Sequence, residues 1–213
     1  MAKSDTPKPT LVLLVRHGQT ATTGKVLPGR AAGLHLADSG KAQAQAAADR
    51  IAALRRVDAV YASPLERARE TAAPIAAERQ LKVKVDKGLA EVDIGEWTGM
   101  ELRAARKLAG WKTVQSWPSG FRFPGGESIA EMQARMVATM ERFRIAHPGG
   151  VVVAVSHADP IKAVTIAALG AHLDMYQRVV ISTASVTAIA YGSGPPMVLA
   201  VNSLGELANL APS

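Results

Sequence analysis

Arg16, His17 and Gly18 stand together directly after the apolar run Leu11-Val-Leu-Leu-Val15. A planar guanidinium, an imidazole and a residue without a side chain are the equipment for holding a phosphate and attacking it. Arg offers a fork of donors, His a nucleophilic nitrogen, and Gly lets the backbone come close to a ligand. Two further segments carry matching groups. Ser63-Pro64-Leu65-Glu66-Arg67-Ala68-Arg69-Glu70-Thr71 follows the apolar run 57–62, and Ser156-His157-Ala158-Asp159-Pro160-Ile161 follows the run 151–155. Between them lies a carboxylate-rich stretch, Glu91-Val-Asp93-Ile-Gly95-Glu96-Trp97-Thr98-Gly99. If the runs are strands, each cationic or imidazole group falls at or just beyond a strand's carboxyl end, where open α/β sheets bind ligands. The competing reading, that Arg16 and His17 merely leave a strand for solvent, weakens as each segment is added.

The elements that must position these groups follow from hydrophobic spacing. Short apolar runs at 11–15, 57–62 and 151–155 predict buried strands, and the alternation at 81–85 predicts a strand exposed on one face. Ala44, Ala47, Ile51 and Leu54 predict a helix capped by Asp38 or Ser39. Leu65, Ala68, Ala72 and Ile75 predict a second helix, kinked or broken at Pro74. Ile129, Met132, Met136, Met140 and Phe143 give the clearest helix, over 127–147, and another is expected over 161–169. Strands at 179–181, 185–191 and 197–202 complete the pattern as an antiparallel edge. Residues 21–36 predict a loop beside the site. The irregular stretch 89–126, which holds all three tryptophans, is expected to lie over the sheet as a partial lid. Alternating strands and helices specify a three-layer α/β/α sandwich on a mostly parallel mixed sheet. The expected organisation is a disordered tail over 1–10 and a single domain over 11–213.

Bulk properties narrow the partners. The chain has 213 residues, enough for a sizeable core. Its net charge of +7 favours anions, but the 25 basic residues are scattered and aromatics are only 4 %. That argues against nucleic acid and fits a small phosphorylated metabolite equally well. The absence of cysteine excludes disulfides, thiolate catalysis and cysteine-ligated metals. No secretory pattern and no membrane-length apolar run occurs, so a cytoplasmic protein without membrane contact is expected. The edge near 197–202 suggests a possible homodimer.

Taken in order, Arg-His-Gly-x-Thr, Ser-Pro-Leu-x-Arg-Ala-x-Glu-Thr, Glu-x-Asp-x-Gly-x-Trp and Ser-His-x-x-Pro-Ile make the chain resemble the histidine phosphatase superfamily, also called phosphoglycerate-mutase-like. The resemblance extends from about residue 11 to residue 202. It implies that His17 is the nucleophile, that Arg16, Arg67 and His157 cradle the phosphoryl group, and that Glu91 protonates the leaving oxygen. It also implies no metal and no cofactor. Asp93 and Glu96 compete with Glu91 for the acid's role. Many family members carry Asn where Thr23 stands, and often Gly where Ala158 stands; Thr23 keeps one hydroxyl for phosphate, and Ala158 its backbone N–H.

The lack of a long insertion between Glu-Trp-Thr-Gly-Met and Pro-Gly-Gly-Glu-Ser is similar to the phosphatase branch. The expected activity is hydrolysis of a small phosphomonoester through a phosphohistidine. A phosphoglycerate mutase or related phosphomutase is the alternative, and a non-catalytic phosphate-binding protein a third. His35 and His172 are expected to be surface or structural, and His147 to complement a helix end. The methionine stripe reads as core, Trp97 and Trp111 as packing or pocket mouth, and residues 124–128 as a turn and helix start.

Overall fold

A computed structural model describes residues 8–207. The strands are β1 (Thr10–Arg16), β2 (Val26–Leu27), β3 (Ala59–Ala62), β4 (Val83–Val85), β5 (Met100–Glu101), β6 (Val151–Ser156), β7 (Val186–Tyr191) and β8 (Met197–Ser203). Six of them form the central sheet, in the order β4-β3-β6-β1-β7-β8. The pairs β4–β3, β3–β6 and β6–β1 are parallel; β1–β7 and β7–β8 are antiparallel. The helices are α1 (Asp38–Ala52), α2 (Glu66–Glu78), α3 (Leu102–Ala105), α4 (Ala109–Ser116), α5 (Ile129–Ala146) and α6 (Ala158–Ala168).

Alternation along β1 explains the three layers. Successive side chains of a strand point to opposite faces. Leu11, Leu13 and Val15 pack with Ile51 of α1 and Ala68, Ala72 and Ile75 of α2. Val12 and Leu14 pack with Met136, Met140 and Phe143 of α5 and with Ile161 and Val164 of α6. A strand buried on both faces must be apolar throughout, which is why β1 shows no polar alternation. Each such side chain contributes roughly 1.5–3 kcal/mol on burial, so the strand that carries the Arg-His-Gly corner is held firmly.

The segment over 89–126 has a cluster of its own. Trp97 packs edge-on against Phe123, with centroids 5.2 Å apart, and stacks near Trp111 at 6.4 Å. Ile94, Val114 and Phe121 join it against Ile129 and Met132 of α5 and Ala163 and Ile166 of α6. Met132, Met136 and Met140 are core, and so is Trp97; Trp111 is half-buried against it, whereas Trp117 is exposed. The loop over 21–36 is not structureless either: β2 pairs antiparallel with β5, which pins it to this segment.

Several local expectations are corrected. Pro74 does not end α2, because Ile75 and Ala76 beyond it are buried in the core and outweigh the lost hydrogen bond. The N-cap of α1 is Ala37, without a side-chain cap; Asp38 pairs instead with Lys41, and Ser39 donates to Gln19 Oε1. Residues 179–181 are not a strand. The Ile181 carbonyl is taken by Arg16 and the Ser182 N–H by Asn202 Oδ1, so the backbone there is satisfied by side chains. The helix expected from residue 161 begins at Ala158, with His157 as its N-cap. Of the expected N-terminal tail, residues 1–7 lie outside the described residues, and Thr10 already belongs to β1 with its hydroxyl bonded to His147 O at 2.8 Å. Among the described residues, no helix is long and apolar enough to cross a membrane.

Gly18 owes its identity to packing. A methyl group on it would overlap the Gly40 carbonyl, and one on Gly40 would overlap the Gln19 carbonyl. What comes close to the corner is therefore the backbone of α1. Helix propensity alone would favour alanine at position 40 by about 1 kcal/mol, but the obstacle is backbone, which cannot swing aside. Gly40→Ala is expected to lower the unfolding free energy in urea by about 1–3 kcal/mol. An unchanged or raised midpoint would show that the two backbones are not in tight contact.

Candidate active site

Three adjacent parallel strands deliver the core of the site. Arg16 of β1 pairs with Ser156 of β6, so His17 and His157 follow side by side. Their ring centroids are 5.1 Å apart. Ser63 follows β3 and continues the same ladder through its N–H to Val155 O. Arg67 sits in the first turn of α2, just after β3. Glu91 follows the short 3-10 turn after β4, and that turn is tied to β6 by the Ser156 hydroxyl, which donates to Leu89 O at 2.7 Å.

His17 is buried, and its Nδ1 lies 2.7 Å from Gly18 O. Burial, then the charge of Arg67, and lastly that of Arg16 push its pKa down to about 3 against the opposing carbonyl contact. The ring is therefore neutral at pH 7 and holds one proton. A carbonyl oxygen only accepts, so that proton is on Nδ1 and the lone pair is on Nε2. Desolvation outranks the arginines as the cause of neutrality.

Arg16 and Arg67 are each gripped by one backbone carbonyl. Arg16 donates to Ile181 O at 2.7 Å, and Arg67, fully buried, donates to Gly29 O at 2.8 Å. Burial lowers both pKa values and Glu91 opposes it, yet a guanidinium stays charged. Seven buried side-chain nitrogens and oxygens lack a protein partner among the described residues. Four of them are Arg16 Nε, Arg67 Nε and one terminal nitrogen of Arg67, and His157 Nδ1. Buried polar atoms are normally satisfied, and an acceptor-rich anion could satisfy the donors of this cluster.

His157 contributes direction more than charge. Its Nε2 meets the Ser63 hydroxyl at 2.8 Å, and its Nδ1 lies 3.9 Å from Glu91 Oε2. Burial, with His17 and both arginines nearby, drives its pKa well below the usual value. The Leu65 N–H also donates to the Ser63 oxygen at 3.4 Å; in the tautomer where the Ser63 hydroxyl donates to Nε2, the ring proton is on Nδ1, the nitrogen nearer Glu91.

Glu91 has a strongly altered pKa. Burial, then the charge of Asp159, raise it to about 7, against the Val92 N–H and the two arginines. Asp93 instead accepts from Gly95 N and sits 3.6 Å from Arg30. Thr23 closes its own turn: its oxygen accepts from Thr20 N–H at 2.9 Å and lies 3.0 Å from the Thr20 hydroxyl. The other three histidines lie elsewhere. His35 pairs with Glu70, His172 accepts from the Asp174 N–H, and His147 meets the Tyr61 hydroxyl at 2.9 Å, its pKa lowered chiefly by burial.

Sequence reasoning missed the support beneath Glu91. Arg135 donates to Gly88 O, Ala90 O and Glu91 O and to both oxygens of Glu127. Arg30 donates to Glu91 O and Glu127 Oε2. Glu127 thus joins the Pro-Gly-Gly-Glu-Ser turn to the acid's loop, while Ser128 and Glu131 close a capping box on α5. The only signal is Glu127 itself, inside a motif that reads as a turn and helix start.

Residues 12–204 match the histidine phosphatase superfamily (branch 1), and the chain belongs to that superfamily. An uncharacterised protein of Mycobacterium tuberculosis is 37 % identical over 190 residues, which is 87 % of this chain and 92 % of the relative. Phosphoserine phosphatase 1 of Hydrogenobacter thermophilus is 30 % identical over 211 residues, covering 92 % and 94 %. A mutant phosphoserine phosphatase of Entamoeba histolytica, solved with phosphoserine, aligns with a TM-score of 0.83 and 27 % identity over 92 % of this chain and 98 % of that one. The mixed α/β fold with its mostly parallel six-stranded sheet is the fold of these phosphatases.

The raised pKa of Glu91 predicts a stability effect. Folding raises the carboxyl from 4.5 to about 7, so the folded chain holds the proton more tightly. The resulting stabilisation is full below pH 4.5 and is lost as pH rises through about 7. Glu91→Gln should therefore be more stable than the wild type at pH 8, by roughly 1–3 kcal/mol, and no more stable at pH 4. Equal unfolding midpoints for the two proteins at pH 8 would contradict a carboxyl group that holds its proton more tightly in the folded chain.

Proposed function

We propose that the protein is a phosphomonoesterase acting on a small phosphorylated metabolite through a phosphohistidine on His17. The observation that carries this reading is a neutral, buried His17 beside the unpartnered donors of Arg16, Arg67 and His157, with a protonatable Glu91 close by. The two guanidinium groups bind the dianionic phosphoryl group and spread its charge in the transition state. His17 Nε2 gives its lone pair to phosphorus as the ester P–O bond breaks, and Glu91 delivers its proton to the departing oxygen. The Glu91 carboxylate then takes a proton from water, whose oxygen attacks phosphorus, breaks the P–N bond and releases inorganic phosphate. Thr23 can offer a phosphate oxygen its hydroxyl proton when the Thr20 hydroxyl acts as donor in the pair they form. All of the positive charge comes from side chains.

The phosphoserine phosphatases among the relatives make phosphoserine a first substrate to try, with sugar phosphates and phosphoglycerates beside it. Phosphate release in this panel should fall at least about 1000-fold in His17→Ala. Glu91→Gln should lose about 100-fold in kcat/KM on alkyl phosphates, and the wild-type value should decline above about pH 7 as Glu91 loses its proton. Wild-type rates retained in His17→Ala would remove the nucleophile. Interconversion of 2- and 3-phosphoglycerate outrunning hydrolysis would make the protein a mutase.

A further inference from the structure

Arg30 lies outside the cluster that meets phosphate, yet it grips the residue assigned as acid. Its Nε donates to Glu91 O at 2.7 Å, and a terminal nitrogen donates to Glu127 Oε2 at 3.0 Å. That carbonyl belongs to the peptide unit whose other end is the Val92 N–H. The same N–H donates to Glu91 Oε1 at 2.9 Å. A peptide unit is planar, so a force on its oxygen sets the direction of its N–H, and the N–H holds the carboxyl group. Orienting the peptide therefore orients the acid.

The residue before Arg30 makes the matching contact on the other side of the site. Gly29 O accepts from the buried Arg67 guanidinium. Gly29 has a φ of +49°, and a side chain there would strike Ile94. The turn is anchored just upstream, where Leu27 pairs with Met100 and its carbonyl accepts from Gly99 N at 2.8 Å. Two consecutive residues of the loop over 21–36 thus hold Arg67 and the Glu91 peptide in fixed relation.

We propose that Arg30 is a positioning residue for proton donation: it sets the Glu91 carboxyl through the Glu91–Val92 peptide and couples it, through Gly29, to Arg67. The proposal rests on the phosphatase reading above. Arg135 also reaches Glu91 O, at 3.4 Å, but its stronger contacts go to Gly88, Ala90 and Glu127. Arg30 makes the shorter bond, 2.7 Å, and comes from the turn whose Gly29 carbonyl holds Arg67.

Proton donation matters for an alkyl ester, whose alkoxide is a poor leaving group, and hardly at all for 4-nitrophenyl phosphate, whose phenolate departs unaided. The test compares kcat/KM on these two esters, since that quantity covers every step through cleavage of the ester bond. Arg30→Met should lose about tenfold more on glycerol phosphate than on 4-nitrophenyl phosphate, a fraction of the 10²–10⁴ that general acid catalysis supplies. Arg30→Lys, which keeps one donor and the charge, should fall between Arg30→Met and wild type, and it carries the same comparison if the methionine variant does not fold. A merely structural role would lower both esters alike, and that result, or an unchanged alkyl rate, overturns the proposal. A wild-type protein inert toward both esters overturns the phosphatase reading instead.

Discussion

Two guanidinium groups buried beside a histidine are the constraint on which the rest of this structure depends. Charge is expensive to bury without compensation, and Arg16 and Arg67 are satisfied only in part, by the Ile181 and Gly29 carbonyls. Their surplus field helps keep His17 and His157 neutral and opposes the rise in the pKa of Glu91. Burial acts on the same groups and is the larger cause in each. The result is a lone pair on one histidine, a proton on a carboxyl, and donors aimed at one place. Each of these conditions would be lost if the site were open to water.

The fold supplies that burial through the sheet. β1 and β6 are apolar on both faces and lie in the middle of the sheet, so the residues at their carboxyl ends emerge inside the protein and close to one another. Register does the rest: the Arg16–Ser156 pairing makes His17 and His157 neighbours and brings their rings edge to face. Glu91 arrives differently, on irregular backbone, and needs Arg30, Arg135 and Glu127 to hold it. Strand-borne groups are placed by the ladder, whereas loop-borne Glu91 is held by arginines that bond backbone carbonyls of its loop and pair with Glu127.

That difference also decides how much was legible in the sequence. Arg16, His17, Arg67 and His157 were legible because each follows a short apolar run or opens the helix after one. Glu91 was legible only through the family resemblance, since spacing does not separate it from Asp93 and Glu96. Its burial does. The arginines beneath it were not legible: Arg30 and Arg135 are distant in sequence, and their bonds go mostly to backbone carbonyls, which carry no residue-type signal. In the fold, helical spacing located α1, α2 and α5, but Pro74 misled because core burial overrides a local penalty. Residues 179–181 differ from the expected strand because Val179 and Ile181 mark packing and not a ladder, while Val180 is exposed. Gly18 also packs against Gly40, a contact between elements that neither motif predicts alone.

The central claim is that His17 attacks through Nε2 while its Nδ1 proton is held by Gly18 O. Rapid acid-free quenching of the protein during turnover of a labelled phosphomonoester, followed by peptide mapping and phosphorus NMR, tests it directly. The account predicts phosphate on His17 alone and bonded to Nε2. Label on another residue, or on Nδ1 of His17, would contradict it.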